Sequence, residues 1–261
     1  MCIAKSVGIN GINNRQDVKI VQILLNGNKK KIGLNQPLSE DGIFGKQTRK
    51  AIADFQTAVN IKPTGQITPR DANLIKLRDG LEAGVSADRV AGIIMSKRQT
   101  IEIYQPALCS EMARNEINTP RRIAHFLAQI GHESGAFRYS EEIASGQAYE
   151  GRRDLGNTQP GDGKRFKGRG LIQLTGRRNY QDFGKFVGMN LLTDEGARSG
   201  GKNSKLAVLA AIWFWNTRKL NQLADADDVV KITKRINGGI NDLQDRRDYL
   251  VRAKFFMNCT S

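Results

Sequence analysis

The chain has 261 residues, 39% of them hydrophobic, which is enough for two domains of unequal size, since one domain usually holds about 50–250 residues. No run nears the roughly 20 apolar residues of a bilayer-spanning helix, and the opening Met1-Cys2-Ile3-Ala4-Lys5-Ser6 lacks the apolar stretch of a signal peptide, so a soluble, cytoplasmically made chain without stable membrane insertion is expected. The formal charge of +15 excludes indifference to anions and points to nucleic acid, a membrane surface or an acidic wall polymer, although it also serves plain solubility.

The charge is densest at the start, where 13 basic residues face 5 acidic ones up to Arg78. Helical spacing runs over 17–26 through Val18, Val21, Gln22 and Leu25, with Asp17 placed to cap it. A second helix over Lys46 to Val59 sets Thr48, Ala51, Ile52, Phe55 and Val59 on one stripe. A third is expected to open at Thr68-Pro69 and to carry Ala72, Ile75 and Leu77 inward. The turn Asp41-Gly42-Ile43-Phe44-Gly45 before the second helix is echoed by Thr64-Gly65-Gln66-Ile67-Thr68 before the third, so a repeated turn-helix element is expected. Together, Val18, Gln22 and Leu25, the Asp-Gly-x-Phe-Gly turn, Thr48, Ala51, Ile52, Phe55-Gln56 and Gly65-x-Ile67-Thr68 resemble the peptidoglycan-binding domain of wall hydrolases over about residues 11–78. Asn28-Lys29-Lys30-Lys31 departs from that pattern and reads as a solvated loop. Two glycines and few large apolar residues mark 79–90 as a linker between a 1–78 domain and a 91–261 domain.

In the second domain, Thr119-Pro120 is an N-cap and first-turn proline, and Ile123, Phe126, Leu127 and Ile130 form the buried stripe of the helix that follows. At about 100° per residue Glu133 falls roughly 20° from Phe126, so it borders the apolar face. Partial desolvation there disfavours the charged form of a carboxyl group and keeps a proton available, as a general acid requires. The same glutamate also fits a helix end tied to a basic neighbour. A second carboxylate must come from beyond Ser134-Gly135, and Glu141, Glu142 and Glu150 are the choices. Inversion needs a gap of about 6.5–9.5 Å between the two groups.

Gly161 to Gly170 is glycine-rich and basic but lacks the Gly-Lys-Ser/Thr of a nucleotide loop. Leu171-Ile172-Gln173-Leu174-Thr175 alternates like a short strand, with Gln173 and Thr175 on one face, and Asn179 and Tyr180 extend that polar surface. His132-Glu133 begins like HExxH, but position 136 is Ala and His125 is the only other histidine, which argues against a zinc hydrolase. His132 then reads as a hydrogen-bonding neighbour of the site. Cys2, Cys109 and Cys259 are odd in number and far apart, and read as reduced thiols. Trp213 and Trp215 lie in an apolar helical run, where at least one belongs to the core.

Ala128 to Ser134, Tyr149-Glu150-Gly151-Arg152, Gly168-Arg169-Gly170-x-Ile172-Gln173-Leu174-Thr175 and Ile236-Asn237-Gly238-Gly239 resemble family 19 glycoside hydrolases over about 90–258, above all the branch of phage endolysins and bacterial lysozymes akin to plant chitinases. The resemblance implies a mainly α protein, in which a small three-helix binding domain precedes a two-lobed, lysozyme-like catalytic domain with little β structure. It implies Glu133 as general acid, Glu142 as general base with Glu150 its rival, and Thr175 as holder of the nucleophilic water. It further implies Gln173, Asn179 and Asn237 in the substrate groove and Arg246 supporting the base. Plant members carry an acidic residue just after Asn-Gly-Gly, where this chain has Asn241. A cofactor-free, monomeric phage endolysin is the expected function, cutting peptidoglycan between N-acetylmuramic acid and N-acetylglucosamine by inversion. It would be held in the host cytoplasm until a holin releases it to the wall. A lytic transglycosylase, a chitinase and a non-catalytic wall-binding protein compete with it, whereas no nucleic-acid-binding motif supports that partner.

Overall fold

The computed structural model describes residues 2–260. Two compact units divide them, one comprising the residues up to Met95 together with those from Val251 onward, the other Ser96–Leu250. Helices dominate both, and the only paired strands among the described residues are two residues long.

In the first unit, helix α1 (Arg15–Gly27) is capped by Asn14, whose side chain accepts from the Asp17 amide. Asp17, expected as the cap, is instead the third helical residue, and its buried carboxylate accepts from the amides of Ala4 and Lys5. Helix α2 (Lys46–Ala58) buries Thr48, Ala51, Ile52 and Phe55 as the stripe predicts, and Gln56 with them, whereas Val59 lies just past its end and is half-buried. Helix α3 (Ala72–Asp79) starts later than expected, because Asp71 rather than Thr68 supplies the capping carboxylate. It turns Leu74 and Leu77 inward and leaves Ala72 and Ile75 exposed.

The repeated turn has a physical basis. Gln22 of α1 accepts from the Gly42 amide and donates to Asp41 and the Ile43 carbonyl. Gln56 of α2 likewise accepts from the Gly65 amide and donates to the Gln66 carbonyl. Both glycines sit at positive φ, +76° and +67°, where a side chain is disfavoured. Strands β1 (Val7–Gly8) and β2 (Gln66–Ile67) pair antiparallel beside the second turn. Lys29, Lys30 and Lys31 are exposed as expected, but Asn28 is buried and donates to the carbonyls of Leu24 and Leu77.

Residues 79–90, read from composition as linker, include buried Leu81 and Val85 and the cap Ser86 of helix α4 (Ala87–Ile94), which packs on α1. Residues beyond Val251 complete this unit. A Cβ at Gly92 would sit 2.0 Å from the Phe256 ring, Arg252 donates to the Ile93 carbonyl, and Arg89 donates to the Phe256 carbonyl.

The second unit is built around helix α6 (Pro120–Glu133). Thr119 caps it and Ile123 through Gly131 are all buried, so its middle lies in the core on every side. The unit also holds α5 (Arg98–Arg114), α7 (Asp162–Arg165), α8 (Arg177–Val187), α9 (Asp194–Lys202), α10 (Ser204–Thr217), α11 (Leu220–Asp225) and α12 (Val229–Asn237), of which α11 packs on α6 and α5, α8 and α9 pack on α10. Helix α13 (Leu243–Phe256) contributes its residues up to Leu250. Trp215 meets Phe126 edge-on at 5.4 Å and donates to Asn221, and Trp213 packs on Phe183, so both indoles serve packing.

Asp162, fully buried, fastens the loop before α8. It accepts from the Thr158 and Gln159 amides and from both arms of Arg177. Burial pushes its pKa up, but the Arg177 pair and those amides outweigh burial and hold it below the usual carboxylate range. A depressed folded value contributes stability that is complete above the unfolded value of about 3.9 and is lost as pH falls through the folded one. Asp162→Asn is therefore expected to unfold about 3 kcal/mol more easily at pH 7, with the gap to wild type narrowing near pH 3 when urea unfolding is measured at both.

Candidate active site

Glu133 is the last residue of α6, and Ser134 turns the chain away from it. The buried Ser134 hydroxyl donates to the Ile130 carbonyl and accepts from the Phe137 amide. Three successive residues then adopt left-handed backbone, Gly135 at φ +56°, Ala136 at +62° and Phe137 at +63°. For the two non-glycine residues this is a strained geometry of the sort that gathers at functional sites. It brings the chain back so that Glu141 and Glu142 run beside Gly168 and Arg169.

The Glu133 carboxylate, about one-fifth exposed, is not bordered by apolar groups alone. It accepts from Arg246 Nη2 at 2.5 Å, and the same guanidinium, 2% exposed, donates through Nη1 to Gln129 Oε1. Arg246, expected to support the base, thus pairs with Glu133. The pairing follows from position, because Gln129 and Glu133 are one helical turn apart and offer two acceptors to one forked donor. One residue earlier on each helix, His132 Nδ1 lies 2.6 Å from Asp245 Oδ2, so His132 is engaged with the start of α13.

The three other carboxylates differ sharply. Glu141 faces Lys167 at 3.1 Å and Arg169 at 3.3 Å; burial raises its pKa, but those two cations outweigh it and the net value is lowered. Glu150 accepts from the amides of Gly161 and Gly163, one on each oxygen, and so clamps the start of α7. Glu142 accepts from the Tyr149 hydroxyl at 3.0 Å and from the Gly168 amide at 3.1 Å. Burial and the adjoining Glu142 raise the Tyr149 pKa, keeping the phenol a donor. Tyr149 and Gly168 were missed as partners of Glu142 by sequence reasoning, although both stand inside its motifs.

Residues 171–175 form no strand. Gly170 at φ +77° and Gln173 at +53° reverse the chain so tightly that Arg169 bonds back to Leu174. The polar groups nonetheless gather. A Cβ on Gly168 would lie 2.9 Å from Gln173 Oε1 and 3.3 Å from Glu142 Oε2, so these two side chains converge over a position that only glycine leaves open. The Thr175 hydroxyl donates to the Gln173 carbonyl, and Asn179 donates to the Thr175 carbonyl. Tyr180 does not join them. It is buried, and its hydroxyl donates to the Lys167 carbonyl and accepts from Arg169; burial pushes its pKa to about 12, so it braces the loop from behind. Asn237 ends α12, where its side chain accepts from the Gly239 amide and donates to the Asn241 carbonyl.

The sequence matches a peptidoglycan binding domain over residues 14–71 and the Chitinase class I family, glycoside hydrolase family 19, over residues 107–242. A glycosyl hydrolase family 19 domain-containing protein of Haemophilus influenzae is 33% identical over 182 residues, 58% of this chain and 86% of that one. An endochitinase of Arabidopsis thaliana is 42% identical over 119 residues, 46% of this chain and 40% of its own length, so the chain spans less than half of that plant relative. Chitinase C from Streptomyces griseus superimposes with a TM-score of 0.56 at 21% identity, over 67% of this chain and 93% of that one, a likeness of fold. With a peptidoglycan-binding domain ahead of its hydrolase domain, the chain belongs to glycoside hydrolase family 19.

Proposed function

We propose that the protein is a phage endolysin that hydrolyses the β-1,4 bond between N-acetylmuramic acid and N-acetylglucosamine with inversion. The observation that carries this reading is the union in one chain of a peptidoglycan-binding domain and a family 19 hydrolase domain. In the proposed reaction Glu133 gives its proton to the leaving glycosidic oxygen. A water held by Thr175 loses a proton to Glu142 and joins the anomeric carbon from the opposite face, as the bond to the leaving oxygen breaks. Glu142 is favoured as base over Glu141 and Glu150, because Glu141 is committed to two cations and Glu150 to two backbone amides. Gln173 and Asn179 border the sugar beside it. The positive charge adds attraction for anionic surface polymers, which weakens with salt. The endolysin reading carries with it storage in the host cytoplasm, holin-dependent release and work at the wall.

A chitinase is the second reading, favoured by the plant endochitinases among the relatives. Mass spectrometry of the fragments released from purified peptidoglycan and from chitin oligomers decides between them. Reducing N-acetylmuramic acid ends from peptidoglycan are expected. Cleavage of chitin alone would replace the reading with the second, and 1,6-anhydro ends would make the enzyme a lytic transglycosylase.

A further inference from the structure

A cavity of about 200 Å³ opens beside the loop that carries Gly168, lined by Gly161, Lys164, Arg165, Arg169, Asp194 and Arg198. Four of its six lining residues are cationic. Asp194, the acidic one, is taken by Arg165 at 2.5 Å. Lys164 and Arg198 are exposed and have no acidic partner among the described residues. Arg169 is 5% exposed, shares Glu141 with Lys167, and keeps its Nε without a hydrogen-bond partner among the described residues. A concave surface with this surplus of fixed positive charge is built for an anion.

We propose that the cavity receives a carboxylate of the peptide stem, which peptidoglycan carries and chitin lacks. This rests on the peptidoglycan reading above and makes the cavity its specificity determinant. Arg169 follows directly on Gly168, whose amide holds Glu142, so cavity and cleavage site share one strip of backbone with Cα atoms about 3.8 Å apart. A four-residue stem reaches up to roughly 14 Å when extended, and in the proposed complex it leaves a sugar held near Glu142 and sets a carboxylate among Lys164, Arg165 and Arg198. Guanidinium groups suit a planar carboxylate, which they grip with two parallel hydrogen bonds.

The test compares wild type with Lys164→Ala/Arg198→Ala, both exposed positions, on intact peptidoglycan fragments and on the same glycan stripped of its stems by an amidase. The expected result is a KM raised about 10-fold to 100-fold on stem-bearing substrate, kcat within about two-fold, and no change on stripped glycan. Equal losses on both substrates, or none on either, would overturn the proposal. A binding titration with soluble N-acetylmuramoyl tetrapeptide separates this proposal from the function it rests on. Saturation by wild type but not by the variant supports the cavity even if the wall proves not to be cleaved. Equal binding by both proteins, binding of a tetrapeptide with amidated carboxylates, or displacement by inorganic phosphate at equal affinity would each overturn it.

Discussion

Glu133→Gln is expected to lower kcat on peptidoglycan by about 10²-fold to 10⁴-fold, the range that a general acid contributes, while adsorption to the wall survives. The amide presents an oxygen to Arg246, so the contact persists, but it has no acidic proton for the leaving sugar. The variant also leaves the buried Arg246 guanidinium without a counter-charge, so a loss of about 1–3 kcal/mol in unfolding free energy should accompany the loss of rate. Glu142→Gln should be equally slow for a different reason. Each Glu142 oxygen accepts one donor, the Tyr149 hydroxyl on one side and the Gly168 amide on the other. A glutamine turns its oxygen to Gly168 and its NH₂ to Tyr149, whose hydroxyl can rotate and accept instead. This variant is thus expected to fold normally and to lack only the base. Turnover and urea unfolding measured together check both statements; a Glu142→Gln enzyme with more than about a tenth of wild-type kcat would remove Glu142 from the base role.

The second large effect belongs to Arg246. Truncation to alanine deletes a buried guanidinium and strands both Gln129 Oε1 and Glu133. Removing one partner of such a pair costs about 3–5 kcal/mol, toward the lower end here because Glu133 is one-fifth exposed. Activity should fall by about 10²-fold or more, since the carboxylate loses the contact that fixes its direction. Arg246→Lys should recover little of either, because one ammonium cannot replace a fork that spans two acceptors one helical turn apart. Combining Arg246→Met with Glu133→Gln is expected to restore most of the stability and none of the activity, which separates the structural part of the pair from the chemical part. Denaturant midpoints and initial rates of the four proteins decide it.

How far the sequence foretold this arrangement depended on range. Helix α6 was legible because its signals are local: Thr119 caps, Pro120 opens, and the apolar stripe leads to Glu133. Helix α3 misled for the same reason. Thr68-Pro69 has the form of a helix start, but Asp71 offers a carboxylate to the Asn73 amide and wins, and Ile75 is left outside. Residues 171–175 misled by alternation, which a reversing turn reproduces over so short a span; nothing local announces that Gln173 adopts φ +53°. The echo of the two glycine turns was visible, yet its cause was not, because Gln22 and Gln56 act across 20 and 9 residues. The partner of Arg246 lies 113 residues away, a separation at which only folding decides the neighbour.

The first unit is drawn from both sides of the second, and this orders events at the ribosome. Residues 251–260 are translated after all of Ser96–Leu250, so the Phe256 ring that fills the space over Gly92 does not yet exist while the hydrolase unit emerges. A domain usually folds as a block in the order it is made. Here the wall-binding unit must wait unfinished, with Ile93 and Arg89 unpaired from residues more than 150 positions downstream, until the cutting unit has been synthesised. Translation that stops short of Val251 would yield a hydrolase unit attached to a first unit that lacks the ring over Gly92 and the partners of Arg89 and Ile93.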